Sequence, residues 1–284
     1  MLIAQITDVH IGFDKATVEE HNLLRLRAVI RRLVEGPHRP DLLLLTGDLT
    51  EDGAPQDYAR LAAELAPCPF PAWPLAGNHD VRGALLAAFP QVKAGPDGFV
   101  HYVLDQGPLR LIVLDTLEVG RHGGGFCETR AAWLSARLAE APERPTLIAL
   151  HHPPFPAGIP WMDTDPREPW VVRLAACLAG QNQVQGLVCG HVHRTVLTRW
   201  EGLPAVICPS TAPAVALDLN PVDPDRPDDR ALITDEAPGY ALHRWTGSEV
   251  VSHFESAGDW RTFARYDAKL QPMIREMLGE RPAG

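Results

Sequence analysis

The sequence predicts a layered α/β fold with mixed sheets, and three observations carry that expectation. Apolar strand-like runs alternate with amphipathic helical segments along most of the chain, the pattern of helices laid over sheets. Runs such as 41-DLLLLTGD-48 and 146-TLIAL-150 are apolar on both faces, as in strands covered on both sides. Hairpin signals near 195–208 and 240–254 add antiparallel pairs late in the chain, so the sheets are mixed rather than purely parallel.

The elements follow in order. Residues 2-LIAQI-6 form a first buried strand. Leu23, Leu26, Ile30 and Leu33 recur at helical spacing within 17–36. Thr17 and Glu20 suggest a capping box, and Gly36-Pro37 a stop. After the 41–48 strand, 55–66 is a helix opened by Pro55, which suits a first turn. The run 71-PAWPL-75 is a third strand, followed by a helix over 82–89. Residues 99–104 and 109–115 are antiparallel neighbours around Gly107-Pro108, and 123-GGG-125 lies in a loop. Helices over 129–141 and 168–180 alternate with strands at 146–150 and 184–189; the proline-rich 153–166 is too long for a simple connection. Residues 195–200 and 204–208 form a hairpin, 218-DLNPVDPDRPDDR-230 is an acidic loop or flap, and 240–245 pairs with 249–254. The tail 259–278 carries a helical apolar stripe that Pro272 should kink or split. One catalytic domain is expected over 1–215, with a small C-terminal extension over 216–284 as a cap or dimer contact. Trp260 and Phe263 would suit either.

Composition narrows the function. A chain of 284 residues with 45% hydrophobic and 22% charged residues is an ordinary globular protein with room for a large core. Its net charge of -10 argues against a nucleic acid polymer or an anionic membrane as partner. Cys68, Cys127, Cys177, Cys189 and Cys208 are scattered and form no C-x-x-C pair, so they read as free thiols in a reducing compartment. The start MLIAQITDVH lacks a basic region and a long apolar run, and no segment approaches the ~20 apolar residues of a spanning helix. The expected location is cytoplasmic.

The chemistry gathers at strand ends. Asp8-Val9-His10 follows the first strand, Gly47-Asp48 the second, and Gly77-Asn78-His79-Asp80 the third; His151-His152 and 190-GHVH-193 follow two later ones. Each alone has a bland reading as a turn, a helix cap or a satisfied buried histidine. Five in succession, all beyond strand ends, point to a metal site, because layered α/β folds build sites there. Carboxylate, imidazole and amide donors suit Mn, Fe, Zn or Co, and the absence of cysteine from all five motifs argues against a thiolate-rich structural zinc site. Asp8, His10, Asp48, Asn78, His151, His191 and His193 are seven candidate ligands. That is too many for one four-coordinate ion and economical for two ions sharing a carboxylate.

In that order, the five blocks resemble the calcineurin-like metallophosphoesterase superfamily, and they span residues 8–193. The resemblance implies a four-layer α/β/β/α sandwich. It implies one metal on Asp8, His10 and His193, a second on Asn78, His151 and His191, and Asp48 as bridge. His79 would face the substrate phosphate as donor or general acid, and Asp80 would orient His79. Gly77 would let the backbone turn close to the metals. The implied reaction is in-line attack by hydroxide on a phosphoryl group. The tyrosine ligand of purple acid phosphatases has no counterpart in 49-LTE-51.

Within the superfamily, 47-GDLTEDG-53, 151-HHPPFPAG-158 and 209-PSTAPAVALDL-219 most resemble bacterial class III cyclic-nucleotide and glycerophosphodiester phosphodiesterases. Relatives of that class often carry histidine in the stretch matching 211–215, where Pro213 stands here. Ala76 before Gly77 departs from protein Ser/Thr phosphatases. The start 8-DVHIG-12 is shared with recombination-type nucleases, against the acidic charge. The expectation is a phosphodiesterase with two divalent ions acting on a small phosphodiester. The alternatives are a phosphomonoesterase, a nuclease and a non-catalytic metal-binding scaffold, and a homo-oligomer is left open. Trp161 and Met162 are assigned to packing, and Arg121 and His122 to a solvated loop, the simpler reading beside contact with the phosphate.

Overall fold

The computed structural model describes residues 1–14, 19–105 and 107–282. In chain order the elements are β1 (Leu2–Ile6), α1 (His21–Glu35), β2 (Leu42–Thr46), α2 (Pro55–Leu65), β3 (Ala72–Leu75) and α3 (Arg82–Ala88). Then come β4 (Tyr102–Leu104), β5 (Arg110–Val113), α4 (Glu128–Ala139), β6 (Thr146–Ala149), α5 (Pro169–Leu178) and β7 (Val184–Cys189). The chain closes with β8 (Val196–Trp200), β9 (Leu203–Ile207), β10 (Ala214–Val215), β11 (Ile233–Thr234), β12 (Gly239–Trp245), β13 (Val250–Ser256) and α6 (Gln271–Gly279).

Two mixed sheets stack face to face. The first runs β13-β12-β1-β2-β3 and the second β4-β5-β6-β7-β9-β8, while β10 and β11 form a small ladder. Strands β1, β2 and β3 are parallel, as are β5, β6, β7 and β9. Strand alternation sends side chains to both faces. On β2, Leu43 and Leu45 meet α1, α2 and α3 through Leu26, Val29, Leu61 and Leu85. Leu42 and Leu44 meet the second sheet at Leu111, Val113 and Leu147. Helices α4 and α5 cover the far face of the second sheet through Leu134, Leu138, Leu174 and Leu178. Three apolar interfaces therefore separate four layers, α/β/β/α.

A polar chain crosses the buried space between the sheets. Gln5 Nε2 donates to Thr46 Oγ1 (2.7 Å) and to the Cys189 carbonyl (3.0 Å). Gln5 Oε1 accepts from Nε2 of buried His243 (2.8 Å), whose Nδ1 pairs with Ser252 Oγ (2.8 Å). With every partner present, these groups specify the register of β1 against β12 and β13.

Three expectations need correction. The boundary at 215 does not separate two bodies, because β12 pairs antiparallel with β1 from Gln5↔Ala241 to Leu2↔Arg244 and carries β13 on its other edge. Within 216–284, only the segment beyond β13 is an appendage. Helix α6 begins at Gln271 with Pro272 in its first turn, where a missing N–H costs nothing, so the proline starts a helix instead of kinking one. None of the side chains of α6 is buried. The capping box fails at Glu20, whose carboxylate instead accepts from the Gly12 and Phe13 amides (2.6 and 3.1 Å); Thr17 lies outside the described residues. The five cysteines are free thiols, and among the described residues no helix is long and apolar enough to cross a membrane.

A fragment ending at 215 should fail to fold cooperatively, since it leaves the β1 edge unpaired and takes Tyr240 and Leu242 from the helix-side core and Trp245 from the core between the sheets; a sharp thermal transition in that fragment would restore the boundary. The buried histidine of the first sheet gives a second prediction. Burial pulls the His243 imidazole down to about 4. As pH falls from about 6.5 towards 4, the unfolded chain then binds a proton that the folded one does not, and stability is lost. The stability advantage of wild type over His243→Gln should shrink by up to about 3 kcal/mol across that window in urea titrations. Parallel pH curves would contradict it.

Candidate metal centre

The parallel strands of both sheets end at one seam. β1 delivers Asp8 and His10, β2 Asp48, β3 Asn78, β6 His151, and β7 His191 and His193. Each strand stops because its next residues leave extended backbone. Asp8, His10, Asp48, His191 and His193 all have positive φ, between 49° and 74°. Such conformations cost about 1–3 kcal/mol each and persist where surrounding bonds over-determine them.

Those bonds are present. The Asp8 and His10 amides donate to the Gly47 and Asp48 carbonyls, both at 3.0 Å. The Asp8 carboxylate accepts from the His191 amide (2.9 Å) and the Thr7 hydroxyl (2.7 Å), which joins the first sheet to the second. The Asp48 carboxylate accepts from the His79 amide at 2.8 Å. A Cβ on Gly77 would overlap the Asp48 carboxylate and amide. Close approach, not a left-handed turn, is what requires glycine there.

All seven candidate ligands converge. Donor atoms of Asp8, His10 and His193 lie within 4.8 Å of one another, and so do those of Asp8, Asp48 and His151. His193 Nε2 is 3.3 Å from Asp8 Oδ1, and His151 Nε2 is 3.2 Å from both Asp48 Oδ2 and Asn78 Oδ1. The His191 ring sits 5.1 Å from that of His151.

The ring tautomers test whether a cation fits. His10 Nδ1 faces Glu51 Oε2 (2.9 Å), His151 Nδ1 the Thr46 carbonyl (2.8 Å) and His193 Nδ1 the Pro213 carbonyl (2.9 Å). Oxygen acceptors hold the Nδ1 protons outward, so the Nε2 lone pairs point inward, the arrangement typical of ligating histidines. Two of these nitrogens, on His10 and His193, stand 3.2 Å apart. Neutral rings would oppose lone pair to lone pair there, and a divalent cation resolves that. Pro213 thus serves the site through its carbonyl.

Electrostatics agree with the donor set. Burial pushes the Asp48 carboxyl up, but His151, then His10 and His79, outweigh it and hold it well below the usual range. Burial likewise raises Asp8, and His193 and then His151 bring it below its ordinary value. Burial and the neighbouring His151 pull His191 down to about 3, leaving it neutral with a lone pair to give. Against burial, Asp48 and then Asp8 raise His151 to about 9, the effect of two carboxylates that favour positive charge at this seam.

The two remaining residues of the third block sit differently from expectation. Asp80 does not orient His79. Its oxygens accept from the Gly77 amide (2.9 Å), the Leu49 amide (3.2 Å) and the Tyr58 hydroxyl (2.7 Å), so it braces the 77–80 loop against the loop after β2. His79 is oriented instead by the Glu51 carbonyl, 2.7 Å from Nδ1. Glu51 thus holds His79 with its main chain and His10 with its side chain, a pair of roles the sequence reasoning missed. Its place three residues beyond Asp48 was the available signal. His151 and His152 are both wholly buried, and His152 uses both ring nitrogens, on Thr116 Oγ1 (2.8 Å) and the His122 carbonyl (3.1 Å). The Arg121 guanidinium is taken by Glu168 (3.1 Å) and Glu118 (3.6 Å). Met162 packs against the second core, whereas Trp161 is exposed.

Fold and site together define a metal-dependent phosphoester hydrolase. The chain belongs to the calcineurin-like phosphoesterase family, whose model matches residues 1–195. It is 31% identical over 259 residues to a probable glycerophosphodiester phosphodiesterase, GpdQ, of Arcobacter nitrofigilis, covering 89% of this chain and 91% of the relative. It is 33% identical over 211 residues to the 3',5'-cyclic adenosine monophosphate phosphodiesterase CpdA of Escherichia coli K12, covering 74% and 75%. In structure it is similar to a dimetal phosphatase from Danio rerio, with TM-score 0.64, 16% identity, and coverage of 91% of this chain and 96% of that one. At that identity the likeness speaks for the fold.

Glu51→Ala should weaken metal binding about tenfold or more, because it removes the acceptor that fixes the His10 ring. Metal content after dialysis against graded chelator checks this, and wild-type retention would show that Glu51 does not orient His10.

Proposed function

We propose that this chain hydrolyses small phosphodiesters, of the cyclic-nucleotide or glycerophosphodiester kind, at a site for two divalent ions. One observation carries the reading: two carboxylates, four inward-facing imidazoles and an amide oxygen share one buried seam. The relatives GpdQ and CpdA supply the diester class. Asp8, His10 and His193 would hold one ion, Asn78, His151 and His191 the other, and Asp48 would serve both. The oxygen and imidazole donors suit Mn, Fe, Zn or Co. Bound, such ions supply Lewis-acid charge to phosphoryl oxygens and acidify water.

The chain's own groups have separable tasks. Asp8 and Asp48 would bring negative charge to the ions, and their amide contacts keep them from swinging away. His79 keeps one proton at Nδ1 on the Glu51 carbonyl. The proton it exchanges is therefore at Nε2, and a doubly protonated ring would give that proton to the leaving oxygen. Asp80 is a positioning residue that holds the loop bearing His79. The net charge of -10 opposes a polyanionic nucleic acid and leaves a small diester as substrate. Five free thiols fit a reducing cytoplasm. A homo-oligomer would give the exposed Met273, Met277 and Leu278 of α6 a partner surface.

Manganese-loaded protein should turn over bis(4-nitrophenyl) phosphate well above 4-nitrophenyl phosphate, and Asp48→Ala should lose metal and nearly all turnover of both. A monoester preference would move the assignment to a phosphomonoesterase. An Asp48→Ala protein with full metal content and normal turnover would remove the shared-ligand role.

A further inference from the structure

The loop after β5 presents another imidazole to the site. The His122 ring lies 6.4 Å from that of His79, centroid to centroid, with the planes tilted by 56°. It is exposed and makes no ring hydrogen bond among the described residues. Its main chain, by contrast, is clamped. The His122 carbonyl accepts from His152 Nε2–H at 3.1 Å, and Thr116 Oγ1 holds the other nitrogen of His152 at 2.8 Å. The Gly125 amide donates to the Thr116 carbonyl (2.9 Å) and the Arg121 amide to the Glu118 carbonyl (3.1 Å), closing the loop on itself. A Cβ on Gly124 would stand 2.9 Å from His152 Cβ and 3.1 Å from the Trp170 ring, so the loop lies this close to its bracket because glycine is there.

A polar ring without a partner, on a segment this firmly held, and turned towards the histidine that faces phosphate, points to a ligand. Neighbouring Arg121 is ion-paired with Glu168 and Glu118, so His122 is the group the loop offers. We propose that His122 contacts the substrate phosphoryl group, donating a hydrogen bond to a non-bridging oxygen from the side opposite His79. The inference rests on the phosphoester reading of the site. An oxygen accepting from one N–H of each ring, at about 2.9 Å, fits between rings so spaced. The two donors also differ in kind. His79, whose Nδ1 proton is engaged by Glu51, needs a second proton to donate from Nε2. His122 has neither nitrogen engaged and donates in either neutral tautomer. His79 is thus suited to proton transfer and His122 to binding.

The test is calorimetric titration of inorganic phosphate into manganese-loaded wild type, His122→Ala and His122→Gln, with metal content measured on each. His122→Ala should keep its metal and bind phosphate about tenfold more weakly, the loss of one hydrogen bond to a charged group. His122→Gln should recover part of that affinity. KM for bis(4-nitrophenyl) phosphate should rise in parallel, with kcat changed less. Equal phosphate affinity in wild type and His122→Ala would overturn the proposal. So would metal loss in both variants, or wild type that binds no phosphate. Wild type that binds phosphate through His122 yet turns over neither ester would sink the hydrolase reading and leave this contact standing. Normal ester turnover with His122→Ala indistinguishable would sink the contact alone.

Discussion

The Asp8 carboxylate is the point on which the two halves of the molecule meet. It lies fully buried at the end of β1, in the first sheet, and its oxygens accept the amide of His191, beyond β7 in the second. That bond places the two histidines beyond β7 within reach of the candidate ligands beyond β1. The same carboxylate faces His193 Nε2 at 3.3 Å. One side chain therefore sets the distance between the sheets at the seam and supplies a donor there. Asp48 repeats the device between β2 and β3, with the His79 amide on one oxygen and His151 on the other. A carboxylate is suited to both tasks because it has about four acceptor positions, and a backbone amide uses only one.

Burying so many titratable groups would be costly without compensation. Each carboxylate is met by imidazoles and amides, and most of the imidazoles are anchored by an oxygen behind them. The apolar interfaces make this possible. With Leu44, Leu75, Leu111, Val113 and Ala149 filling the space between the sheets, water is excluded from beneath the site and the polar groups have few alternative partners. The left-handed conformations of five of the candidate ligand residues belong to the same balance. Their strain is held by cross-strand amide bonds and would be relieved only by opening the seam.

The strand ends were legible because a buried parallel strand leaves a nearly unbroken apolar run, and a polar residue directly after it has few places to point. Asp8, Asp48, Asn78, His151, His191 and His193 become candidate ligands by that reasoning, and the fold brings them together. Contacts made across the fold stayed hidden. Glu51 looks like a loop acid until His10, 41 residues away, is brought against it. Asp80 looks like a partner for its neighbour His79, but Tyr58 and the Leu49 amide reach it first. The boundary placed at 215 followed a real change in composition at the acidic loop. It failed because β12 returns across more than 200 residues of chain to pair with β1, and antiparallel pairing at that separation leaves no local trace.

His122 shows why local composition is a poor guide to such residues. A histidine next to three glycines reads as a solvated loop, and its side chain is indeed exposed. Its distinguishing feature is the rigidity behind it. Flexible glycines would ordinarily let a loop wander, yet here they let it settle against His152, whose two ring nitrogens are both committed to holding it. The neighbour of a metal-ligand candidate therefore acts as scaffold: His151 faces the seam, and His152, whose ring lies 4.7 Å from that of His151, holds the loop that carries His122. A pair of histidines at a strand end is thus a means of tying the metal side of a site to its substrate side without any intervening element.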